Sequence, residues 1–352
     1  MGLRVLSKSI KNKKVLLRTD FNVPIKNGKI LDDSRIKESL PTIYFLLKNN
    51  NQIFIVTHLG RPKLNQKSKQ GETLQIYKNQ KLILKPLAIK LARLLKFKIK
   101  NSKLKVKINN FDAYKLSNNL YLLENIRFYT GEEENNKKFA KHLASLADIF
   151  VNDAFSVCHR VHASIVGITK LLPSYAGLGL EKEVNALDKI LKNPLRPLVC
   201  IIGGAKVETK LPLIKNFLRL ADFVLVGGKI GFQKIPYRNK KLILPVDGFN
   251  TKDIGLKTID LFIGIIQKAK TIFWNGPMGM FEQKKFEKGT KEIAQAIANS
   301  SAFSVAGGGE TILALKKYRV VNKISYISTG GGATLEYLAG KELPGIKVLM
   351  KK

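Results

Sequence analysis

A short apolar run that ends in two glycines constrains the fold of this chain more than any other stretch. Residues 199–202 (VCII) are apolar and mostly β-branched, which indicates a buried parallel strand. Gly203 and Gly204 follow and allow the backbone to turn sharply. We expect a helix to begin directly after them, with Lys206 and Lys210 four residues apart on one face near its N-terminus. This arrangement suits a polyphosphate, but a tight turn with two solvated lysines explains it equally well.

The same pattern of an apolar run followed by glycine occurs four more times in the second half of the chain. The runs are at 223–226, 272–273, 303–306 and 326–328. The turns that follow them are Gly227-Gly228, Asn275-Gly276-Pro277, Gly307-Gly308-Gly309 and Gly330-Gly331-Gly332. Ligands of open α/β sheets bind beyond the carboxyl ends of the strands. Five strands that each end in a glycine-containing turn at that edge therefore predict one broad nucleotide site.

In the first half of the chain, the predicted strands end in polar and charged residues instead. Strands are expected at 15–18, 53–56, 120–123 and 149–151, and a helix is expected from 34 to about 47. The side chains expected to face one cleft are Asp20, Asn22, Arg35, His58, Arg61, Arg127 and Arg160. Four guanidinium groups and an imidazole suit a small ligand that carries carboxylate and phosphate. Any single arginine is more often a surface ion pair, and His58 could be a core histidine.

The charge of the chain is extreme, but its pattern argues against a dedicated nucleic-acid surface. The 352 residues include 62 Lys and Arg against 26 Asp and Glu, and only 11 of the 62 are Arg. The lysines are spread along the whole length, so we attribute them mainly to compositional bias on solvated positions. Residues 96–107, which alternate Lys with apolar side chains, favour a solvated edge strand. Against this background arginine is informative, because lysine cannot replace it in a bidentate anion site.

Length, cysteine count and hydropathy narrow the class of protein. A chain of 352 residues predicts two domains, and two cysteines exclude a disulfide framework. The start has no signal-peptide core, and no apolar run approaches membrane-spanning length. We therefore expect a cytoplasmic protein that does not bind membranes.

Three alternative motifs are weak. Cys158, His159 and His162 have a spacing that zinc ligands use, but no second ligand pair occurs in the chain. Lys182 stands where a dinucleotide fingerprint beginning at Gly177 would need its third glycine. No phosphate-binding loop of the GxxxxGK[ST] type occurs either.

Taken together, the motifs resemble one family, phosphoglycerate kinase, from one end of the chain to the other. They are Arg18-Thr19-Asp20-Phe21-Asn22-Val23-Pro24, His58-Leu59-Gly60-Arg61-Pro62, Glu124-Asn125-Ile126-Arg127-Phe128, Asn152-Asp153-Ala154-Phe155, His159-Arg160-Val161-His162-Ala163-Ser164, Gly203-Gly204-Ala205-Lys206-Val207, Trp274-Asn275-Gly276-Pro277, Gly307-Gly308-Gly309 and Ser328-Thr329-Gly330-Gly331-Gly332-Ala333. They occur in the order that the family has.

The resemblance implies an α/β fold with two doubly wound, Rossmann-like lobes of parallel sheet. Residues 1–174 would bind phosphoglycerate, with 340–352 returning to that lobe. Residues 175–192 would form the hinge helix, and 193–339 would bind the nucleotide. A monomer is expected, with 3-phosphoglycerate, 1,3-bisphosphoglycerate, ADP and ATP as its small-molecule partners and nucleic acid bound nonspecifically at most.

The resemblance also assigns roles to individual residues. The implied phosphoglycerate ligands are Asp20, Phe21, Asn22, Arg35, His58, Leu59, Gly60, Arg61, Arg127 and Arg160. The implied nucleotide ligands are Gly203, Gly204, Lys206, Lys210, Gly228, Asn275, Pro277, Glu282, Gly308, Gly309, Glu310 and Thr311, with Glu310 on the side of a Mg²⁺ ion. The implied catalytic groups are Arg35, Lys206, Lys210, Gly308 and Gly331.

The implied reaction is the glycolytic transfer of a phosphoryl group from 1,3-bisphosphoglycerate to MgADP. Both oxygens involved are already anionic, so the transfer needs alignment and neutralisation of charge rather than a general base. Substrates held on separate lobes would meet through hinge closure. A second hypothesis is a decayed relative that acts as a basic RNA- or surface-binding protein.

The chain departs from the family pattern at several places. After the second nucleotide-lobe strand it has Gly227-Gly228-Lys229-Ile230-Gly231, the helix expected there is nearly lost, and a strand at 241–244 follows at once. The segment 247–253 is also shortened, so we expect weaker selection of adenine. Glu310 replaces the usual metal-side Asp, and Ser156-Val157-Cys158 replaces Gly-Thr-Ala.

Overall fold

The computed structural model describes residues 2–62, 80–98 and 104–351. The chain forms two compact units. The first comprises Met1–Lys182 and Leu343–Lys352, and the second comprises Glu183–Glu342. Over the ranges described, no helix is both long enough and apolar enough to cross a membrane.

The first unit is built on a seven-stranded sheet. Its strands are β1 Lys14–Arg18, β2 Ile25–Lys26, β3 Lys29–Ile30, β4 Gln52–Val56, β5 Lys105–Ile108, β6 Phe111–Ser117, β7 Leu120–Leu123, β8 Ile149–Asn152 and β9 Ser174–Ala176. Its helices are α1 Ser34–Glu38, α2 Leu40–Lys48, α3 Lys85–Leu94, α4 Thr130–Glu133, α5 Lys137–Ala144 and the start of α6 Leu178–Leu191. The strand order is β5-β6-β7-β4-β1-β8-β9, and β2 and β3 form a separate two-stranded sheet.

The centre of this sheet is a doubly wound arrangement. Strands β7, β4, β1, β8 and β9 are parallel, and the strand order reverses between β1 and β8. Val15, Leu16 and Leu17 of β1 have no solvent exposure, as expected for a strand covered by helices on both faces. The reversal opens a crevice at the carboxyl ends of β1 and β8, where ligands of such sheets bind.

Two expectations for the first unit need correction or limitation. The helix predicted from 34 to about 47 is broken at Ser39 into α1 and α2, because Pro41 has no N–H and fits only in the first turn of a helix. The predicted solvated edge strand at 96–107 is confirmed for 105–107, which belong to the edge strand β5, and is wrong for 96–98, which form no strand. Residues 99–103 of that stretch lie outside the described residues.

The second unit contains a six-stranded, fully parallel sheet. Its strands are β10 Leu198–Ile202, β11 Phe223–Val226, β12 Leu242–Ile243, β15 Thr271–Asn275, β16 Phe303–Gly307 and β17 Tyr326–Ser328, with the small hairpin β13 Gly248–Phe249 and β14 Asp253–Ile254. Its helices are the rest of α6, α7 Val207–Leu220, α8 Gly228–Gly231, α9 Leu256–Ile266, α10 Lys288–Asn299, α11 Gly309–Lys317 and α12 Gly332–Leu338. The order β12-β11-β10-β15-β16-β17 reverses between β10 and β15. The predicted fold of doubly wound α/β units is thereby confirmed.

Residues near both ends of the chain pair within the first unit. Leu3 forms an antiparallel bridge with Met350, and Val5 forms a parallel bridge with Ala176 at the end of β9. The Arg4 amide donates to the Leu349 carbonyl at 2.8 Å. The last helix, α13 Pro344–Lys347, is part of this region.

Candidate active site

Asp20 is the centre of a polar cluster at the crevice of the first unit. It follows β1, and its Oδ2 lies 2.5 Å from the Arg35 guanidinium. The Asn22 amide donates to Asp20 Oδ1 at 3.0 Å. Arg35 also lies 3.4 Å from the Asn22 carbonyl. The helix that carries Arg35 is thus tied to the turn that follows the central strand.

His58 is buried in this cluster and carries no charge at neutral pH. Burial, followed by the charges of Arg18 and Arg127, lowers the pKa of His58 well below its usual value. Its Nδ1 lies 3.4 Å from Arg18 NH2 and 3.9 Å from Asp20 Oδ1. Because arginine can only donate, Nδ1 is the acceptor and the ring proton is on Nε2. His58 is therefore a neutral hydrogen-bonding group, and the positive charge of the cluster comes from arginine.

Two further predicted residues are joined by backbone contacts. The Gly60 amide donates to Asn22 Oδ1 at 2.9 Å, and Arg127 NH1 donates to the Gly60 carbonyl at 2.8 Å. Arg127 Nε also lies 3.1 Å from the Glu133 carboxylate. The loops after β1, β4 and β7 are thus connected at the edge of the sheet.

Arg18, Ser164 and Glu132 form a buried hydrogen-bonded chain beside the cluster, and this connection was not predicted from the sequence. Arg18 has no solvent exposure, and its Nε donates to Ser164 Oγ at 2.9 Å. Ser164 Oγ donates to the fully buried Glu132 at 2.6 Å. Glu132 is the first of three consecutive glutamates, an unusual run in a chain with 26 Asp and Glu residues. That run is the sequence feature from which a role for Glu132 could have been predicted.

The other residues predicted for this site divide into core and surface. The side chains of Phe21 and Leu59 are buried in the hydrophobic core, and their amides donate to Thr57 Oγ1 at 2.9 Å and Asn125 Oδ1 at 3.3 Å. Arg61 and Arg160 are exposed. The charge of Arg61 is close enough to lower the pKa of Arg127, and burial is the larger cause of that shift.

The structure gives no support to the zinc hypothesis. Cys158 is buried, accepts a contact from Asn152 Nδ2 at 3.4 Å and approaches the Ala154 carbonyl at 3.5 Å. Across the ranges that the structure covers, no three His, Cys, Asp or Glu side chains come together as a metal site.

In the second unit, two glycine turns meet at the reversal between β10 and β15. A Cβ on Gly203 would lie 2.1 Å from the Pro277 carbonyl oxygen, and one on Gly276 would lie 2.2 Å from the Gly203 oxygen. The Gly203 and Gly204 amides donate to Asn275 and Pro277 carbonyls at 2.9 and 3.0 Å. These amides are therefore used inside the protein, and the glycines serve close approach of the two loops.

The helix after β10 begins later than the sequence predicts. Lys206 is in an extended conformation and caps α7, which starts at Val207. The two lysines therefore do not share one helical face. The reason is the left-handed backbone of Gly204 (φ +102°), which carries the chain away from the helical path before α7 can start.

Lys210 lies close to the turns after β15 and β16. Its Nζ donates to Asn275 Oδ1, and Asn275 Nδ2 donates to the Gly307 carbonyl at 2.6 Å. Burial lowers the pKa of Lys210 to about 8, and the charge of Glu310 partly opposes this shift. Asn275 therefore holds the ammonium group beside the start of α11.

The remaining predicted nucleotide residues lie at helix starts and turns. Gly308 precedes α11, and Thr311 Oγ1 in the first turn accepts the Gly276 amide at 2.7 Å. The Gly228 amide donates to the Met278 carbonyl at 2.9 Å. Gly331 precedes α12, and a Cβ there would meet nothing within 4 Å. Glu282 and Lys206 are exposed.

Glu310 fits a magnesium ion that arrives with a nucleotide. It presents an exposed carboxylate in the first turn of α11. Mg²⁺ usually binds through one or two carboxylates together with substrate phosphates and water. Glu310 supplies one such carboxylate, and its charge is close enough to act on the pKa of Lys210.

Comparison with known proteins covers both units. A family model described as phosphoglycerate kinase matches residues 5–243 and 233–341. A phosphoglycerate kinase of Dictyoglomus turgidum is 41% identical over 405 residues, which cover 99% of this chain and 98% of the relative. One of Leptospira biflexa is 39% identical over 399 residues, covering 98% of this chain and 97% of the relative. The solved structure of phosphoglycerate kinase from Coxiella burnetii has a TM-score of 0.82 and 36% identity, and covers 98% of both chains.

These matches also show that the chain is shortened. Both alignments are longer than the chain itself, which has 352 residues. The two family matches overlap at 233–243, next to α8, where the predicted loss of a helix lies. The full-length similarity and the fold agree with each other: the chain belongs to the phosphoglycerate kinase family.

Proposed function

We propose that this chain catalyses the glycolytic phosphoryl transfer between 1,3-bisphosphoglycerate and MgADP, in both directions. The observation that carries the proposal is the extent of the similarity, which covers both units. The polar contacts beside the two sheet reversals support it. The comparisons give no support to the hypothesis of a decayed RNA- or surface-binding relative.

The first unit is proposed to bind the phosphoglycerate. In its cluster Arg35 contacts Asp20, Arg127 contacts the Gly60 carbonyl, and His58 is neutral. Arginine pairs with carboxylate and phosphate through two parallel hydrogen bonds. Lysine, the commoner cation in this chain, cannot form that pair of bonds. The exposed Arg61 and Arg160 would add positive charge on the solvent side of the bound phosphoglycerate.

The second unit is proposed to bind the nucleotide through its phosphates. Lys210, Lys206 and the start of α11 would supply positive charge to the phosphates. Glu310 would hold the Mg²⁺ ion, which neutralises phosphate charge when it is bound. Glu282 would contact the ribose.

The chemistry required of these residues is alignment and electrostatic stabilisation. The leaving carboxylate and the attacking phosphate oxygen are both anionic, so no group has to remove a proton. Arg35, Lys206 and Lys210, with the backbone at Gly308 and Gly331, would stabilise the charge on the transferring group. Hinge closure that brings the substrates together is part of this proposal.

The direct test uses 3-phosphoglycerate and MgATP with hydroxylamine present. Hydroxylamine converts an acyl phosphate to a hydroxamate, so product accumulates only if the carboxylate of 3-phosphoglycerate is phosphorylated. We expect hydroxamate formation that depends on both substrates. ATP consumption without hydroxamate would indicate a different acceptor and overturn the proposal.

A further inference from the structure

Ser156 contacts the proposed substrate cluster across the sheet reversal of the first unit. It follows β8, and its Oγ donates a hydrogen bond to Oδ2 of Asp20, which follows β1. Ser156 is half-buried.

The contacts of Asp20 leave a defined place for a ligand. An ionised carboxylate offers about four acceptor positions, two on each oxygen. Oδ2 has two donors in the structure, Arg35 NH1 at 2.5 Å and the Ser156 hydroxyl. Oδ1 accepts the Asn22 amide at 3.0 Å. Among the described residues, the second acceptor position on Oδ1 meets no protein donor, so it is open to a donor on the substrate.

His58 does not compete for that position. Its Nδ1 is 3.9 Å from Asp20 Oδ1, beyond hydrogen-bond distance, and it faces the Arg18 guanidinium at 3.4 Å. Because Nδ1 accepts from Arg18, it has no proton to give to Asp20. The His58 imidazole therefore donates no hydrogen bond to Asp20 Oδ1.

The proposed substrate has one group that suits this acceptor. 3-Phosphoglycerate carries a carboxylate and a phosphate, which the negative charge of Asp20 repels, and a single hydroxyl, which can donate to it. Hydrogen bonds to charged groups are among the stronger ones in proteins. Asp20 is therefore suited to read the hydroxyl, provided that its carboxylate is held in one orientation.

We propose that Ser156 is a positioning residue that fixes the Asp20 carboxylate, so that Oδ1 recognises the hydroxyl of 3-phosphoglycerate. This inference rests on the proposed function. Without the serine hydroxyl, Oδ2 keeps only Arg35, and the carboxylate can rotate to other positions. Discrimination for the hydroxyl then falls, while contacts to the carboxylate and phosphate of the substrate persist.

The test compares two ligands, 3-phosphoglycerate and 3-phosphooxypropanoate, which is the same molecule without the hydroxyl. Calorimetry gives the Kd of each for the wild type and for Ser156→Ala. We expect the wild type to prefer the hydroxylated ligand by about tenfold or more, and Ser156→Ala to prefer it by about twofold or less. Ser156→Thr keeps a hydroxyl and should restore the wild-type ratio.

Ser145→Ala is the matched control, because the Ser145 hydroxyl donates to the His142 carbonyl at the surface of the same unit. Its ratio should equal that of the wild type. Each ratio is measured within one variant, so a general loss of stability does not alter it. An unchanged ratio in Ser156→Ala overturns the role of Ser156, whereas a wild type that binds neither ligand overturns the proposed function itself.

Discussion

At the scale of single residues, burial gives Lys210 a property that an exposed lysine lacks. Its pKa of about 8 means that the ammonium group is about half protonated at pH 8. Anionic phosphate favours the charged form, so binding raises the pKa of Lys210 and takes up a proton from solution. Below pH 7 the group is already charged, and this uptake disappears.

We therefore predict an uptake of about half a proton when MgADP binds at pH 8. Calorimetry in two buffers with different ionisation enthalpies measures it directly. Lys210→Arg, which is always charged, should bind MgADP without the uptake. Binding enthalpies at pH 8 that are the same in both buffers for the wild type would contradict the assignment of Lys210.

Arg35 carries the second residue-scale prediction. Most cationic residues of this chain are lysines, so an arginine at this position is informative. The Arg35 side chain contacts Asp20 and is 30% exposed to solvent. We expect Arg35→Lys to lower kcat by about 10²–10³-fold while the KM for 3-phosphoglycerate changes by less than about threefold. Steady-state kinetics provides both values.

Arg93→Lys is the matched control, because Arg93 is exposed on α3 and belongs to neither cluster. Its kinetics should equal those of the wild type. A near-normal kcat in Arg35→Lys would remove Arg35 from the phosphoryl-transfer step.

The residues of the first cluster show what a sequence can and cannot predict. Asp20 and Arg127 are predicted because charged residues at the ends of parallel strands gather at one edge, whereas Arg35, which lies in α1, is predicted because arginine is informative in a lysine-rich chain. The neutral state of His58 and the donor role of Ser156 were not predicted, because each depends on contacts between residues distant in sequence. Phe21 and Leu59 lie within the motifs, but packing takes their side chains into the core.

At the scale of elements, the glycine turns after β10 and β15 are packed closely against each other. A methyl group at position 203 would meet backbone oxygens of the neighbouring turn, which cannot move independently of β15. We predict that Gly203→Ala destabilises the protein by about 1–3 kcal/mol and weakens MgADP binding.

Gly264→Ala is the matched control for this substitution. Gly264 lies within α9, where a Cβ meets nothing within 4 Å, so alanine should raise stability by about 0.5–1 kcal/mol. Thermal unfolding of both variants measures the difference. An unchanged Tm for Gly203→Ala would show that the two turns do not depend on each other.

The elements near the expected base-binding side are reduced. Helix α8 has four residues, and a hairpin of two-residue strands, β13 and β14, follows β12. Val246 and Phe249 of this segment are 65% and 57% exposed. This segment would offer few buried polar contacts to a base and could discriminate little between bases. Each missing contact removes about 1–3 kcal/mol of the free energy that separates one base from another.

We therefore predict that GDP and IDP replace ADP with kcat/KM within about tenfold, which corresponds to about 1.4 kcal/mol. The measurement is a series of nucleoside diphosphates at fixed free Mg²⁺ and ionic strength. A thousandfold preference for ADP would show that other residues have rebuilt the base pocket.

Element boundaries were predicted where hydrophobic pattern alone decides them. β7, β11 and β17 have the predicted bounds, because each is a short apolar run with a clear end. The start of α7 was predicted two residues early, since the conformation of Gly204 is set by packing against the neighbouring turn. Helices α9 to α12 were not delimited, because their patterns are less regular than those of the strands.

At the scale of the whole molecule, the two units have the same plan. Each contains parallel strands whose order reverses within its sheet, and a polar contact lies beside each reversal, Asp20 with Arg35 in the first unit and Lys210 with Asn275 in the second. One cluster is rich in arginine and the other in glycine and lysine. This division matches a reaction with two anionic substrates, one of them a nucleotide.

The central claim is that both clusters act in one phosphoryl transfer, and ATP formation tests it most directly. The wild-type chain is incubated with 1,3-bisphosphoglycerate and MgADP, and ATP is detected by luminescence at fixed ionic strength. We predict ATP formation that saturates with each substrate and falls by at least about 10²-fold in both Arg35→Lys and Lys210→Ala. Folded wild-type protein that forms no ATP, or variants of both residues that match its rate, would contradict the claim.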